Sequence, residues 1–156
     1  MFFPPQRCSI NPSAGRVTCN NLLQDGSVVL DYPTYNPRMK MQDYSFFYGI
    51  SPASTTSSRW FDRVIKVDRN KGVIVASWSE AGVYPTEAGF IGRPGASAED
   101  DGVLVSVVFN STTNSSYGVI LDSRNLRLLD RFSFDQLLPF HAHGISCVAG
   151  HCFSNP

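Results

Sequence analysis

Residues 99–109, EDDGVLVSVVF, join a turn signal to the strongest strand signal in the chain. Three acidic residues precede Gly102, a composition typical of a turn. The β-branched residues that follow favour an extended strand over 103–109. Apolar side chains occupy both of its faces, with Val103, Val105 and Val107 on one and Leu104 and Val108 on the other. A strand buried on both faces indicates a sheet between two other layers, as in stacked propeller blades or in the middle of a larger assembly. A free-standing sandwich would show cleaner alternation.

Further strand signals on both sides of this segment predict an antiparallel meander. The expected strands are 27–32, 44–50, 59–67, 73–78, 87–92, 117–122, 126–134 and a last one that follows Pro139 and runs through His143. Residues 68–72, DRNKG, have the Asn and Gly that a hairpin turn favours. The sequence therefore predicts one all-β domain over residues 1–156, with 1–15 and 147–156 poorly ordered.

The composition excludes several classes of protein. Lys and Arg together number 13 and balance the 13 Asp and Glu residues, so no basic field indicates a nucleic-acid partner. No apolar stretch approaches the roughly 20 residues of a spanning helix, and the start MFFPPQR does not resemble a signal peptide. We therefore expect a cytoplasmic location. The 4 cysteines are expected to be reduced there, with a disulfide scaffold as the less favoured alternative.

The 3 histidines, His141, His143 and His151, lie close together near the end of the chain with Cys147 and Cys152. One hypothesis is a local zinc site, although the spacing matches no usual zinc pattern. A second is that one strand histidine is a single ligand of a metal whose other ligands are distant in sequence. From the residues alone, an ordinary core or surface histidine remains the favoured interpretation.

Two carboxylates occur among apolar neighbours. Glu87 opens a predicted strand after Tyr84-Pro85-Thr86, and Asp31 lies just before Tyr32-Pro33. A buried carboxylate needs a partner, and one such role is to hold the outer ring N–H of a metal-bound histidine. An exposed acid at a strand end is the alternative for each. The acids of EDDG are interpreted as turn residues.

An ordered set of motifs resembles the C-terminal part of the carotenoid oxygenase family, which includes the carotenoid cleavage dioxygenases and the retinoid isomerohydrolase. The motifs are LDYP (30–33), FYG (47–49), YPTE (84–87), FI (90–91), RPG (93–95), AEDDGV (98–103), LD (121–122), NL (125–126) and LPFHAHG (138–144). The likeness extends from about residue 16 to residue 146, and the distance between EDDG and the final histidine motif is its most specific feature.

The resemblance implies the last blades of a seven-bladed β-propeller, incomplete in this chain. It also implies a non-haem Fe(2+) held by four histidines on the propeller axis, of which His143 is the last because it directly precedes Gly144. His141 is then a neighbour. The family has glutamates that hydrogen-bond the iron histidines, and these positions correspond to Glu87 and Asp31, where this sequence has the shorter aspartate.

By the same resemblance, the parent protein is expected to cleave a double bond of a carotenoid or apocarotenoid with O2, giving carbonyl products. Retinoid isomerohydrolase activity and a non-catalytic β-module are the alternatives. The chain alone is expected to be inactive, because one ligand cannot hold a catalytic iron. Membrane contact would be made by family regions that this sequence lacks.

Overall fold

The computed structural model describes residues 4–53 and 60–139, together with the backbone of 145–148 and 151–154. Its strands are β1 (Gln6–Asn11), β2 (Arg16–Asn21), β3 (Asp31–Thr34), β4 (Phe46–Ser51), β5 (Arg63–Asp68), β6 (Val73–Ser79), β7 (Val83–Gly92), β8 (Gly102–Asn110), β9 (Ser115–Asp122), β10 (Leu128–Ser133), β11 (Ile145–Val148) and β12 (His151–Ser154). A 3-10 helix over Pro37–Met39 is the one helical element among the described residues. No described helix is long and apolar enough to cross a membrane.

Two four-stranded antiparallel sheets make up most of this structure. The first sheet has the order β3-β4-β5-β6 and the second β10-β9-β8-β7. Consecutive strands are neighbours in both, which is the layout of propeller blades. The sheets meet where β7 contacts β3, β4 and β5. The prediction of an all-β antiparallel meander is therefore confirmed.

The predicted hairpin over 59–78 is present as β5 and β6, although β5 starts only at Arg63. Its turn is organised by Asp68, whose Oδ1 accepts hydrogen bonds from the backbone N–H groups of Asn70 and Lys71, both at 3.0 Å. Gly72 completes the turn with φ of +65°, a left-handed conformation that glycine adopts without a side-chain penalty. Local turn chemistry thus fixes this register.

The strand predicted over 103–109 is β8, which lies in the second sheet between β7 and β9. Leu104 and Val108 are fully buried in the core between the two sheets, whereas Val103, Val105 and Val107 are half-buried. Other members of that core are Tyr48, Ile50, Phe61, Val64, Val83, Ala88, Phe90, Val119, Leu121 and Leu126. One face of β8 is therefore closed by the first sheet and the other remains partly accessible.

Ser27 lies in a turn and residues 28–30 belong to no strand, so the predicted strand begins only at Asp31. Their apolar side chains are used differently. Val29 packs on the core between the sheets, whereas Val28 and Leu30 pack on a smaller cluster around Phe47 and Ile65. The alternation that predicted a strand here therefore reflects the burial of side chains on two sides of a segment that is not part of a sheet.

The hairpin β1–β2 has no counterpart among the predicted strands, and residues 6–11 fall within the stretch expected to be poorly ordered. All twelve of its residues are exposed, so no buried face produced a sequence signal. Its register places Cys8 opposite Cys19, with Cα atoms 4.0 Å apart, and the two form a disulfide. The expectation of reduced cysteines is wrong for this pair, because direct opposition in an antiparallel ladder brings the sulfur atoms within bonding reach.

Candidate functional site

The two predicted carboxylates lie on the terminal strands of their sheets. Asp31 begins β3 and Glu87 lies within β7, and these two strands contact each other. Both strands contain a proline, a residue that removes a backbone donor and is tolerated at sheet edges. The fold therefore brings the two acid-bearing strands to one side of the interface between the sheets.

Glu87 lies in a β-bulge. Pro85 pairs with Val108 and Ala88 with Ser106, so Thr86 and Glu87 together face the single residue Val107. The Thr86 hydroxyl donates to the carbonyl of Val107 at 2.8 Å and closes the bulge. Bulges redirect side chains and occur next to active sites. Here the bulge places Glu87 half-buried on the outermost strand of the second sheet.

Asp31 lies beside a similar irregularity in the first sheet. It pairs with Ile50, and Thr34 pairs with Tyr48, so two residues of β3 again face one residue of β4. Asp31 is exposed, and its Oδ1 accepts a hydrogen bond from the backbone N–H of Tyr32 at 2.9 Å. Tyr32 has φ of +48°, a strained conformation for a residue with a side chain, and the local carboxylate contact stabilises it.

The predicted metal ligand His143 and its neighbour His141 lie outside the described residues, and His151 is described only as backbone in β12. Within residues 4–53 and 60–139, no group of three His, Cys, Asp or Glu side chains could hold a metal ion. The described part therefore offers no complete metal site, and both metal hypotheses for the histidines remain predictions.

The acidic turn Glu99–Asp101 does much more than turn the chain, which the sequence interpretation missed. The Glu99 carboxylate accepts hydrogen bonds from the backbone N–H groups of Ser45, at 2.8 and 2.9 Å, and Phe46, at 2.7 Å. The Glu99 carbonyl accepts another from the buried side chain of Asn36 at 2.8 Å. One residue of the turn that leads into β8 thus caps the start of β4 in the first sheet.

Asp100 forms a nearly buried ion pair across the same interface. Its Oδ2 lies 2.6 Å from Lys66 Nζ, and the Lys66 side chain is only 3% exposed. The same ammonium donates to the carbonyl of Arg124 at 2.9 Å and lies 4.2 Å from the centre of the Phe46 ring. These contacts compensate for the removal of the charge from water.

Asp101 is shared between two arginines, Arg93 Nε at 2.9 Å and Arg124 Nη2 at 2.7 Å. The hydrogen bond from Arg93 and the positive charge of both guanidinium groups lower the pKa of the Asp101 carboxyl below its ordinary value. Asp101 is therefore ionised near neutral pH, and each of the three acids of the turn contacts groups distant in sequence.

Tyr48 connects this polar cluster to the strand of Glu87. Its hydroxyl donates to the carbonyl of Ser123 at 2.9 Å, and its ring stacks on Phe90 at 5.8 Å between centres. Burial, together with the negative charge of Asp100, raises the pKa of Tyr48 well above its ordinary value, so it remains a phenol. Phe90 lies three positions after Glu87 on β7. The cluster therefore fixes β7, the strand that contains Glu87, against the first sheet.

A family model described as retinal pigment epithelial membrane protein matches residues 4–145. The carotenoid-cleaving dioxygenase of Mustela putorius furo is 31% identical over 146 residues, which is 87% of this chain and 26% of that protein. Carotenoid cleavage dioxygenase 8 of Arabidopsis thaliana is 31% identical over 115 residues, which is 74% of this chain and 20% of that protein. The chain thus spans about a quarter or less of these relatives.

Solved structures show the same fold. A mutant of Synechocystis apocarotenoid oxygenase superposes with a TM-score of 0.82 at 23% identity, covering 96% of this chain and 30% of that one. A cobalt-substituted form of the Synechocystis oxygenase superposes with a TM-score of 0.80 at 24% identity, covering 88% and 29%. The two-sheet arrangement described above therefore corresponds to somewhat less than a third of each of those larger structures.

Proposed function

This chain belongs to the family of the retinal pigment epithelial membrane protein and the carotenoid-cleaving dioxygenases, and on that premise we propose that it is part of an iron(II)-dependent dioxygenase. The longer protein would cleave a double bond of a carotenoid or apocarotenoid with O2 to give carbonyl products. The observation that carries this proposal is the match over residues 4–145, which spans both sheets and reaches beyond the final histidine motif.

The metal would be held mainly by residues outside this chain. His143 would supply one imidazole, and imidazoles from the rest of the longer protein would supply the others. When bound, iron(II) supplies the activation of O2. A related Synechocystis oxygenase has been prepared in a cobalt-substituted form, which supports a metal site in this fold.

Glu87 would act on an iron-bound histidine and not on the substrate. Its carboxylate would accept the outer ring N–H of an imidazole, which fixes the tautomer and orients the ring toward the metal. Two features support this role: the bulge that redirects Glu87 and its half-buried place on an edge strand. Asp31 would do the same from β3 with a shorter reach.

The proposal is tested in the longer protein that contains this chain. We expect purified protein to contain iron by mass spectrometry and His143→Ala to lose most of it. His151→Ala is the matched control, because it removes a histidine from the same part of the chain but should leave iron unchanged. Iron content unaffected by His143→Ala would refute the ligand assignment and favour a non-catalytic β-module.

Substrate assays separate the activities of the family. Incubation with β-carotene or an apocarotenal should give aldehyde or ketone products by chromatography. All-trans retinyl ester should remain unchanged, and its conversion to a cis-retinol would instead identify an isomerohydrolase. Glu87→Gln should weaken iron binding about 10- to 100-fold, whereas Glu80→Gln, at an exposed ion pair with Arg131, should not.

A further inference from the structure

A groove lies between the two sheets on the side of the 3-10 helix. Its walls are Asn36–Arg38 from the first sheet's side and residues 90–95, the end of β7 and the turn after it, from the second. It has a volume of about 270 Å³, near the lower end of small-molecule sites. Neither Asp31 nor Glu87 is among the described residues that line it.

The floor of the groove is mostly apolar. Phe90, Ile91, Pro37 and Pro94 line it, and apolar surface of this kind favours an apolar occupant. The side chain of Asn36 is already used, because its Nδ2 donates to the Glu99 carbonyl and its Oδ1 accepts from the backbone N–H of Arg38. The floor therefore supplies contact area and few hydrogen bonds.

Two arginines give the groove its charge. Arg38 donates through Nη2 to the carbonyl of Ala96 at 2.9 Å, and no carboxylate among the described residues lies within ion-pair distance of it. Arg93 donates a hydrogen bond through Nε to the carboxylate of Asp101, which also pairs with Arg124. One negative charge is therefore shared between two arginines. The groove thus has an apolar floor and a net positive edge.

From this combination we infer that the groove binds the carboxylate end of an apolar acid. The guanidinium groups match a carboxylate through paired N–H donors, and the apolar floor accepts the attached hydrocarbon. A doubly charged phosphate fits less well, because the floor cannot solvate the second charge. This inference rests on the groove alone and is independent of the proposed function.

The test is calorimetric titration of the 156-residue chain with decanoate below its micelle concentration. We expect saturable binding, with 1-decanol, which has the same hydrocarbon and no charge, binding at least tenfold more weakly. Arg38→Gln and Arg93→Gln should each weaken decanoate binding about tenfold or more. Arg127→Gln, at an exposed arginine outside the groove, is the matched control and should change binding less than twofold.

Gly92→Leu tests the location without removing a charge. A Cβ at this position would meet only Phe90 Cε1, at an ordinary 3.7 Å, so the sheet should tolerate the new side chain while it fills the groove. Loss of decanoate binding with an unchanged circular dichroism spectrum is expected. Three outcomes would each overturn the inference. The unmodified chain could fail to bind decanoate, or it could bind 1-decanol as tightly as decanoate. Alternatively, the variants of Arg38 and Arg93 could bind decanoate as tightly as Arg127→Gln does.

Discussion

Removal of the Asp100 carboxylate should destabilise the chain, because it leaves the buried ammonium group of Lys66 without its ion-pair partner. In Asp100→Ala, the Lys66 side chain, which is 3% exposed in the structure, loses its ion-pair partner. Breaking a buried pair on one side costs about 3–5 kcal/mol. Asp100 is 22% exposed, and the Arg124 carbonyl at 2.9 Å and the Phe46 ring remain in place. We therefore expect the lower part of that range, about 3 kcal/mol.

The assay is urea unfolding of the 156-residue chain, followed by tryptophan fluorescence. Glu80→Ala is the matched control, because the Arg131–Glu80 pair has a similar 2.7 Å separation but side chains that are 45% and 35% exposed. An exposed pair contributes at most about 1 kcal/mol, so the control should change the free energy of unfolding little.

A double-mutant cycle with Lys66→Met isolates the pair itself. Methionine keeps the apolar stem of the lysine and removes the buried charge, so the double variant should recover part of the stability lost in Asp100→Ala. We expect a coupling of about 2 kcal/mol. If Asp100→Ala and Glu80→Ala proved equally destabilising, or the coupling were below about 0.5 kcal/mol, burial would not set the strength of this ion pair.

Three further predictions concern other parts of the fold. Gly49→Ala should destabilise the chain by about 2 kcal/mol or more in urea unfolding. The new Cβ would lie 2.7 Å from Leu30 Cγ and 2.8 Å from the backbone carbonyl oxygen of Asp31. A loss of stability below about 0.5 kcal/mol would contradict this prediction. Reduction of Cys8–Cys19 should speed tryptic cleavage within the exposed hairpin and leave the thermal midpoint of the two sheets unchanged; a large drop in that midpoint would show that the hairpin unfolds with the core. The lowered pKa of Asp101 stabilises the folded chain at pH values above the ordinary carboxyl pKa of 3.8, and this stabilisation is lost as the pH falls through the lower pKa of the folded state. In Asp101→Asn, the free energy of unfolding should therefore fall less steeply as the solution is acidified. An unchanged slope would contradict that contribution.

Several parts of the fold could be predicted because their signals are local. The turn over 68–72 is specified by side chains that hydrogen-bond neighbouring backbone groups, and it appears where the sequence places it. The apolar run of β8 forms the strand that it predicts. The family resemblance, carried by ordered motifs, is confirmed by the match over residues 4–145. Hairpin β1–β2 was missed because its exposed strands have no buried face, and burial is what produces a period-two pattern.

Only the tertiary structure decided which side chains interact across the interface between the two sheets. The sequence identified Glu99–Asp101 as a turn, yet Glu99 caps the start of β4 and Asp100 neutralises Lys66, which is distant in sequence. The sequence likewise singled out Glu87, but the bulge that redirects it depends on its register against Val107. Turn and strand preferences depend on each residue and its neighbours, whereas the partner of a buried charge is set by which sheet packs against it.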